Sequence, residues 1–336
     1  MNTILVTGSA GFIGYHVCQR LLADGWHVVG LDCVSPYYDP ALKEARVARL
    51  RRNNHFTEAR IRLEDRAAVF ALMGTHAPQR IIHLAAQPGV RYSLDEPQAY
   101  VDANVTGFLT ILEAARHHTV DHLVYASTSS VYGLDEDMPL SPHRGSNHPV
   151  SLYAATKKAN EAMAHSYAHL FQIPLTGLRF FTVYGPWARP DMALFKFTRA
   201  ILAGEPVEIY NHGKMLRDFT YIDDIVEGIV RIADRPATAN PDWNGRAPDP
   251  ATSAAPYRIY NIGNSEPVEL LAYVDAIEKA CGIPAKRKMM PLQPGDVLAT
   301  WADVDDLIES TGFRPQTRVE DGVKAFVDWY RDFYGV

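Results

Sequence analysis

Cysteine is scarce in this 336-residue chain: Cys18, Cys33 and Cys281 are its only three and lie far apart. That spacing offers neither a disulfide framework nor a zinc cluster, and it fits reduced thiols used in packing. No uncharged apolar run reaches the roughly 18 residues a membrane-spanning helix needs, so no membrane association is expected. Met1-Asn2-Thr3 leads directly into a strand pattern, without a basic stretch or a small-residue cleavage site. No secretory leader is therefore expected, and the cytoplasm is the expected location. Positive charge is not in excess: the net charge of −6 argues against a general nucleic-acid surface. A small anionic ligand needs only a few local cations, and Arg189, Lys214 and Arg217 are available. There is no repeat, Walker loop, serine-hydrolase elbow or metal-ligand pair, and no metal is expected.

What is present is 47% hydrophobic and 21% charged residues, enough for a large core in two lobes. The first half alternates short apolar runs with helical patterns, the mark of a doubly wound α/β fold with a parallel sheet. Strands are expected at Ile4 to Thr7, His27 to Leu31, Ala59 to Leu63, Arg80 to Leu84, His122 to Ala126 and Leu175 to Phe181. Helices are expected at Phe12 to Ala23, Asp65 to Met73, Ala99 to His117 and Leu152 to Phe171. The pattern predicts a Rossmann-like domain over 1–184 and a smaller α/β substrate lobe over 185–336, with some elements crossing over. Helical patterns in the second lobe cover Ala193 to Leu202, Asp224 to Ala233 and Val268 to Ala280, and Arg235 to Pro256 reads as a surface loop.

The loop Gly8-Ser9-Ala10-Gly11-Phe12-Ile13-Gly14 follows a strand and opens a helix. Small residues there let backbone approach a pyrophosphate at the positive helix end. Asp32 ends the next strand, where its carboxylate can accept from both ribose hydroxyls and repel a 2′-phosphate; with Cys33 beside it, NAD is favoured over NADP. Tyr153 and Lys157 stand four apart among good helix formers, so they share a face and the ammonium can favour the phenolate. Tyr210 and Lys214 repeat the spacing, but Gly213 and Pro206 argue against a helix there. Thr128, Ser129 and Ser130 end the fifth strand, where Thr128 can share a hydrogen bond with a substrate hydroxyl while Tyr153 takes its proton. His83, His117 and His118 read as packing or surface residues, and Asp223-Asp224 as a helix start.

In this order the motifs resemble the extended short-chain dehydrogenase/reductase family over nearly the whole chain. Longer segments are similar to the UDP-glucuronate 4-epimerases within it. They include His83 to Gln87, Val90 to Ser93, Ser151 to Glu161, Arg179 to Trp187, Arg189 to Phe197, Arg217 to Asp224 and Gln293 to Val297. The resemblance implies a base at Tyr153, a lysine at Lys157 that lowers its pKa and binds nicotinamide ribose, and help from Thr128 at the sugar O4. It implies that Ala85, Ala86, Asn104 and Phe180 line the NAD site. It also implies that Arg91, Thr182, Tyr210, Arg217 and Asp296 hold the UDP-sugar, with Ser129, Ser130 and Arg189 at the uronate carboxylate. Arg217 suits that task independently, since a guanidinium binds phosphate bidentately. Relatives commonly carry an aspartate after the third strand, whereas this chain reads Ile61-Arg62-Leu63-Glu64-Asp65, so adenine recognition falls to the Leu63 backbone or to Asp65.

The expected reaction oxidises C4 of UDP-glucuronate and reduces it from the other face, inverting the centre to give UDP-galacturonate. A UDP-glucuronate decarboxylase, another UDP-sugar 4-epimerase and a non-catalytic NAD-binding regulator are the alternatives. Relatives that eliminate or decarboxylate are expected to place Asp or Glu where Ser129 and Ser130 stand, which disfavours the first. The resemblance further implies a homodimer built on the helices Ala99 to His117 and Leu152 to Phe171.

Overall fold

In the computed structural model, residues 2–292 and 297–336 are described. Six parallel strands come from the first half: β1 (Thr3–Thr7), β2 (His27–Leu31), β3 (Phe56–Ala59), β4 (Arg80–His83), β5 (His122–Thr128) and β6 (Leu175–Phe180). The second half supplies β7 (Thr182–Tyr184), β8 (Pro206–Ile209), β9 (Leu216–Tyr221), β10 (Tyr257–Ile262), β11 (Pro267–Glu269), β12 (Lys286–Met289) and β13 (Ala299–Thr300). The main sheet runs β10-β6-β5-β4-β1-β2-β3, so the strand order reverses between β1 and β4. That reversal opens the crevice in which such folds bind ligands. A smaller sheet, β11-β9-β13 with β7 also on β9, and the pair β12-β8 build the second lobe.

Side chains alternate across the central strands, and each face of the sheet gains its own core. Ile4 and Val6 pack into one cluster with Val17, Ile225 and Phe326, while Leu5 joins Ile81, Phe108 and Leu123 in the other. The first cluster runs on through Phe219, Tyr273 and Tyr330, which ties the two lobes into one apolar interior.

The helices Phe12–Ala23, Leu152–Phe171 and Ala193–Leu202 have the boundaries read from sequence. Ser151 starts the second of these by accepting from Ala154 N at 3.1 Å. Three expectations need correction. The third strand lies at Phe56–Ala59, pulled forward because Val28 to Leu31 of β2 pair with Phe56 to Ala59, and residues 61–65 fall beyond it. Six strands become seven because β10 returns from beyond residue 185 and pairs with β6 from Tyr257↔Leu175 to Ile262↔Phe180. The helix expected at Ala99 to His117 is continuous in direction but widens to a π-turn over Val101–Thr106, where Asn104 lies.

Candidate active site

The carboxyl ends of β1, β2, β4, β5 and β6 open on a cavity of about 630 Å³, within the range that holds a sizeable ligand. Gly8, Gly11, Phe12, Ile13 and Gly14 form its floor at the start of the helix Phe12–Ala23. Gly11 caps that helix without a side chain, which leaves its first N–H groups aimed at the cavity. A Cβ at Gly14 would sit 2.1 Å from the Gly8 carbonyl oxygen, and Gly8 itself has φ +75°, so neither position tolerates a side chain. Asp32 Oδ2 accepts from Ala10 N at 3.1 Å and Oδ1 from Val34 N at 2.7 Å. Each carboxylate oxygen keeps a lone pair for a vicinal diol. Floor, helix end and carboxylate suit a dinucleotide.

Thr128, Ser129, Ser130, Tyr153, Lys157, Phe180, Thr182 and Arg189 line the other end of the same cavity. Thr128 Oγ1 caps a short turn by accepting from Ser130 N at 3.2 Å. Burial raises the Tyr153 pKa, while hydrogen bonding with Thr128 and the Arg189 charge act against the rise. Lys157 is 2% exposed, and its charge adds to burial in lowering the His83 pKa. Burial brings Lys157 down to about 8, with the Glu161 carboxylate resisting. Glu161 is locked in place: Oε1 accepts from Ser127 Oγ at 2.7 Å and Arg179 Nε at 2.8 Å, and Oε2 from Arg179 Nη2 at 2.9 Å and Lys158 Nζ at 3.0 Å. Among the described residues the cavity's lining carboxylates, Asp32 and Glu64, follow β2 and β3, three and four strands away from β5. At about 4.8 Å per strand they are out of reach of the Thr128 end.

Residues 4–263 match the NAD dependent epimerase/dehydratase family. The chain belongs to it. Among related sequences, a probable UDP-glucuronate 4-epimerase of Rhizobium meliloti (strain 1021) is 52% identical over 334 residues, covering 98% of this chain and 97% of the relative. UDP-glucuronate 4-epimerase 1 of Arabidopsis thaliana is 44% identical over 338 residues, covering 99% of this chain and 77% of the relative. The crystal structure of UDP-glucuronic acid 4-epimerase from Bacillus cereus with UDP-glucuronic acid and NAD superposes with a TM-score of 0.88 at 34% identity. It covers 99% of this chain and all of that one.

Not every residue expected to act in this epimerase/dehydratase chain reaches the cavity. Asn104 stands behind its wall, fully engaged: its Oδ1 accepts from Gln87 N at 2.8 Å and its Nδ2 donates to Gln87 O and Thr156 Oγ1, each at 3.1 Å. Asp65 caps the helix Arg66–His76 by accepting from Ala68 N at 3.0 Å and does not line the cavity, whereas Leu63 does. Arg91 and Tyr210 meet outside it, guanidinium 5.7 Å from the ring centroid, joining the two lobes. Arg217 on β9 donates to Leu216 O at 2.8 Å and Val297 O at 2.6 Å. Asp296 lies outside the described residues. Ala85 and Ala86 line the cavity as expected from the resemblance. His83 packs on Phe108 and hydrogen-bonds Thr7. Asp223 and Asp224 occupy a first helical turn.

Sequence reasoning missed Tyr37, Tyr38, Lys43 and Met192, all in the cavity wall. Tyr37 and Tyr38 precede the helix Pro40–Leu50 and Lys43 lies within it; its signal was Asp39-Pro40: Asp39 Oδ1 accepts from Ala41 N at 2.9 Å with proline in the first turn.

Proposed function

We propose that this protein is a UDP-glucuronate 4-epimerase, interconverting UDP-glucuronate and UDP-galacturonate with a retained NAD. The observation that carries the reading is the meeting of Tyr153, Thr128 and Lys157 with Arg189 in one cavity whose Thr128 end has no lining carboxylate among the described residues. When bound, NAD supplies the oxidant that takes the C4 hydrogen with its electron pair and gives it back. Tyr153 withdraws the O4 proton as C4 is oxidised and returns it as C4 is reduced. Thr128 orients O4 toward Tyr153, and Lys157 places a buried positive charge beneath the reacting end. Binding energy from the distant UDP, through Thr182, Tyr210, Arg217 and Asp296, anchors the ligand while the 4-keto sugar turns over. Hydrogen returned to the opposite face inverts C4.

The 4-keto form of a uronate is a β-keto acid, so its carboxylate has to be held; Ser129, Ser130 and Arg189 take that role. Incubating the purified protein with UDP-glucuronate and separating the products tests the reading. UDP-galacturonate is expected, whereas UDP-xylose or a 4-keto pentose as main product, or no turnover, would overturn it.

The same reading makes the enzyme a cytoplasmic homodimer. Its three cysteines are unpaired, which suits a reducing compartment. Leu109 and Leu170, exposed on Gly107–His117 and Leu152–Phe171, supply apolar surface for a self-complementary contact.

A further inference from the structure

Arg189 is held by a carboxylate of its own chain. Its Nε donates to Asp191 Oδ1 at 3.0 Å and its Nη2 to Asp191 Oδ2 at 2.9 Å. Those two nitrogens form one edge of a planar fork with five donors. Nη1, on the other edge, makes no protein hydrogen bond among the described residues. Arg189 lines the cavity and Asp191 does not. Asp191 is anchored in turn: the Tyr37 hydroxyl donates to Oδ2 at 3.3 Å, and the Tyr37 ring packs on Tyr92 with centroids 4.9 Å apart. Loops following β2 and β7 thus converge on one carboxylate behind the guanidinium.

We propose that Asp191 is a positioning residue that makes Arg189 selective for an acidic sugar, clamping its inner edge so that the Nη1 end faces the C6 carboxylate. This rests on the epimerase reading and adds the residue that separates uronate from neutral sugar. The pair is close to neutral overall, so Arg189 acts through directed donors rather than as a general anion trap. Holding the carboxylate also protects the 4-keto sugar. Loss of carbon dioxide breaks C5–C6 and moves that electron pair into the C5–C4–O4 enolate, away from the carboxylate oxygens. A fixed guanidinium on those oxygens opposes the shift.

Asp191→Asn tests this, because the amide turns a donor toward Arg189 in place of one acceptor and removes the charge. The KM for UDP-glucuronate should rise roughly ten- to hundredfold, the loss that goes with charge-assisted hydrogen bonds. The inhibition constants of UDP and UDP-glucose and the amount of bound NAD should stay at wild-type values. The share of product that has lost carbon dioxide should increase. Wild-type KM and product ratio in the variant would overturn the inference and leave the epimerase reading intact. Loss of UDP and NAD binding together would also overturn it, since Asp191 would then act on the fold. A wild-type enzyme inert toward UDP-glucuronate would overturn both.

Discussion

In the proposed reaction Tyr153 has to exchange a proton while its own burial resists ionisation. The charge that helps it comes from Arg189. Replacing Tyr153 by Phe keeps the ring and removes the acid–base group. In the Tyr153→Phe variant kcat should drop by roughly 10²- to 10⁴-fold while bound NAD, read from absorbance of the denatured supernatant, is retained. Wild-type turnover in that variant would exclude the phenol as base. In the same proposal Lys157 works as the ammonium, and burial holds its pKa to about 8. The protonated form is present below that value and lost above it, so the kcat profile should fall on an alkaline limb near pH 8. A profile flat to pH 10 would contradict it.

The helix Leu152–Phe171 carries base, lysine and Glu161 at successive turns of one face. Burial alone would raise the Glu161 pKa, but Arg179 with Lys158 and Ser127 brings it to about 2. A carboxylate whose folded pKa is depressed stabilises the fold above its ordinary range, and that contribution is lost as pH falls toward 2. Glu161→Gln leaves Arg179, which is 0% exposed, without its counter-charge, at a cost of about 3–5 kcal/mol. Chemical denaturation should show that loss, and the alkaline limb should move to lower pH because the charge retaining the Lys157 proton is gone. An unshifted limb would separate Glu161 from the chemistry.

This helix was legible to the residue because Ser151 and a run of alanines mark it, as Gly11 marks the helix before Asp32. The strand β3 was not, since Phe56 to Ala59 and Ala59 to Leu63 have similar local character and only pairing with β2 chooses between them. The helix Val319–Tyr334 went unread although Val323, Phe326, Val327 and Tyr330 bury one stripe. In the site, the glycine loop, Asp32 and Thr128 could be read because each stands at a strand end, and Tyr153 and Lys157 because they share one face at the start of a well-marked helix. The clamp of Tyr37 and Asp191 could not, because it joins loops 154 residues apart.

For the whole molecule, the boundary at residue 184 divides the sequence more cleanly than the structure. β10 covers the edge of β6, and the helix Ile222–Ala233 buries Ile225 and Ile229 in the cluster that holds Val17 and Leu21. A fragment of residues 1–184 should therefore aggregate and fail to retain NAD, as judged by gel filtration with absorbance at 260 and 280 nm. A monomeric, NAD-loaded fragment would show that the first lobe folds alone. The intact protein should sediment as a dimer at micromolar concentration, and a monomer there would remove the proposed pairing of Gly107–His117 and Leu152–Phe171. Cys33 is exposed and borders the cavity beside Asp32, whereas Cys18 and Cys281 are buried. The native enzyme thus carries one addressable thiol at the adenosine end, where a small maleimide dye would be shielded by loaded dinucleotide and would report its escape in real time.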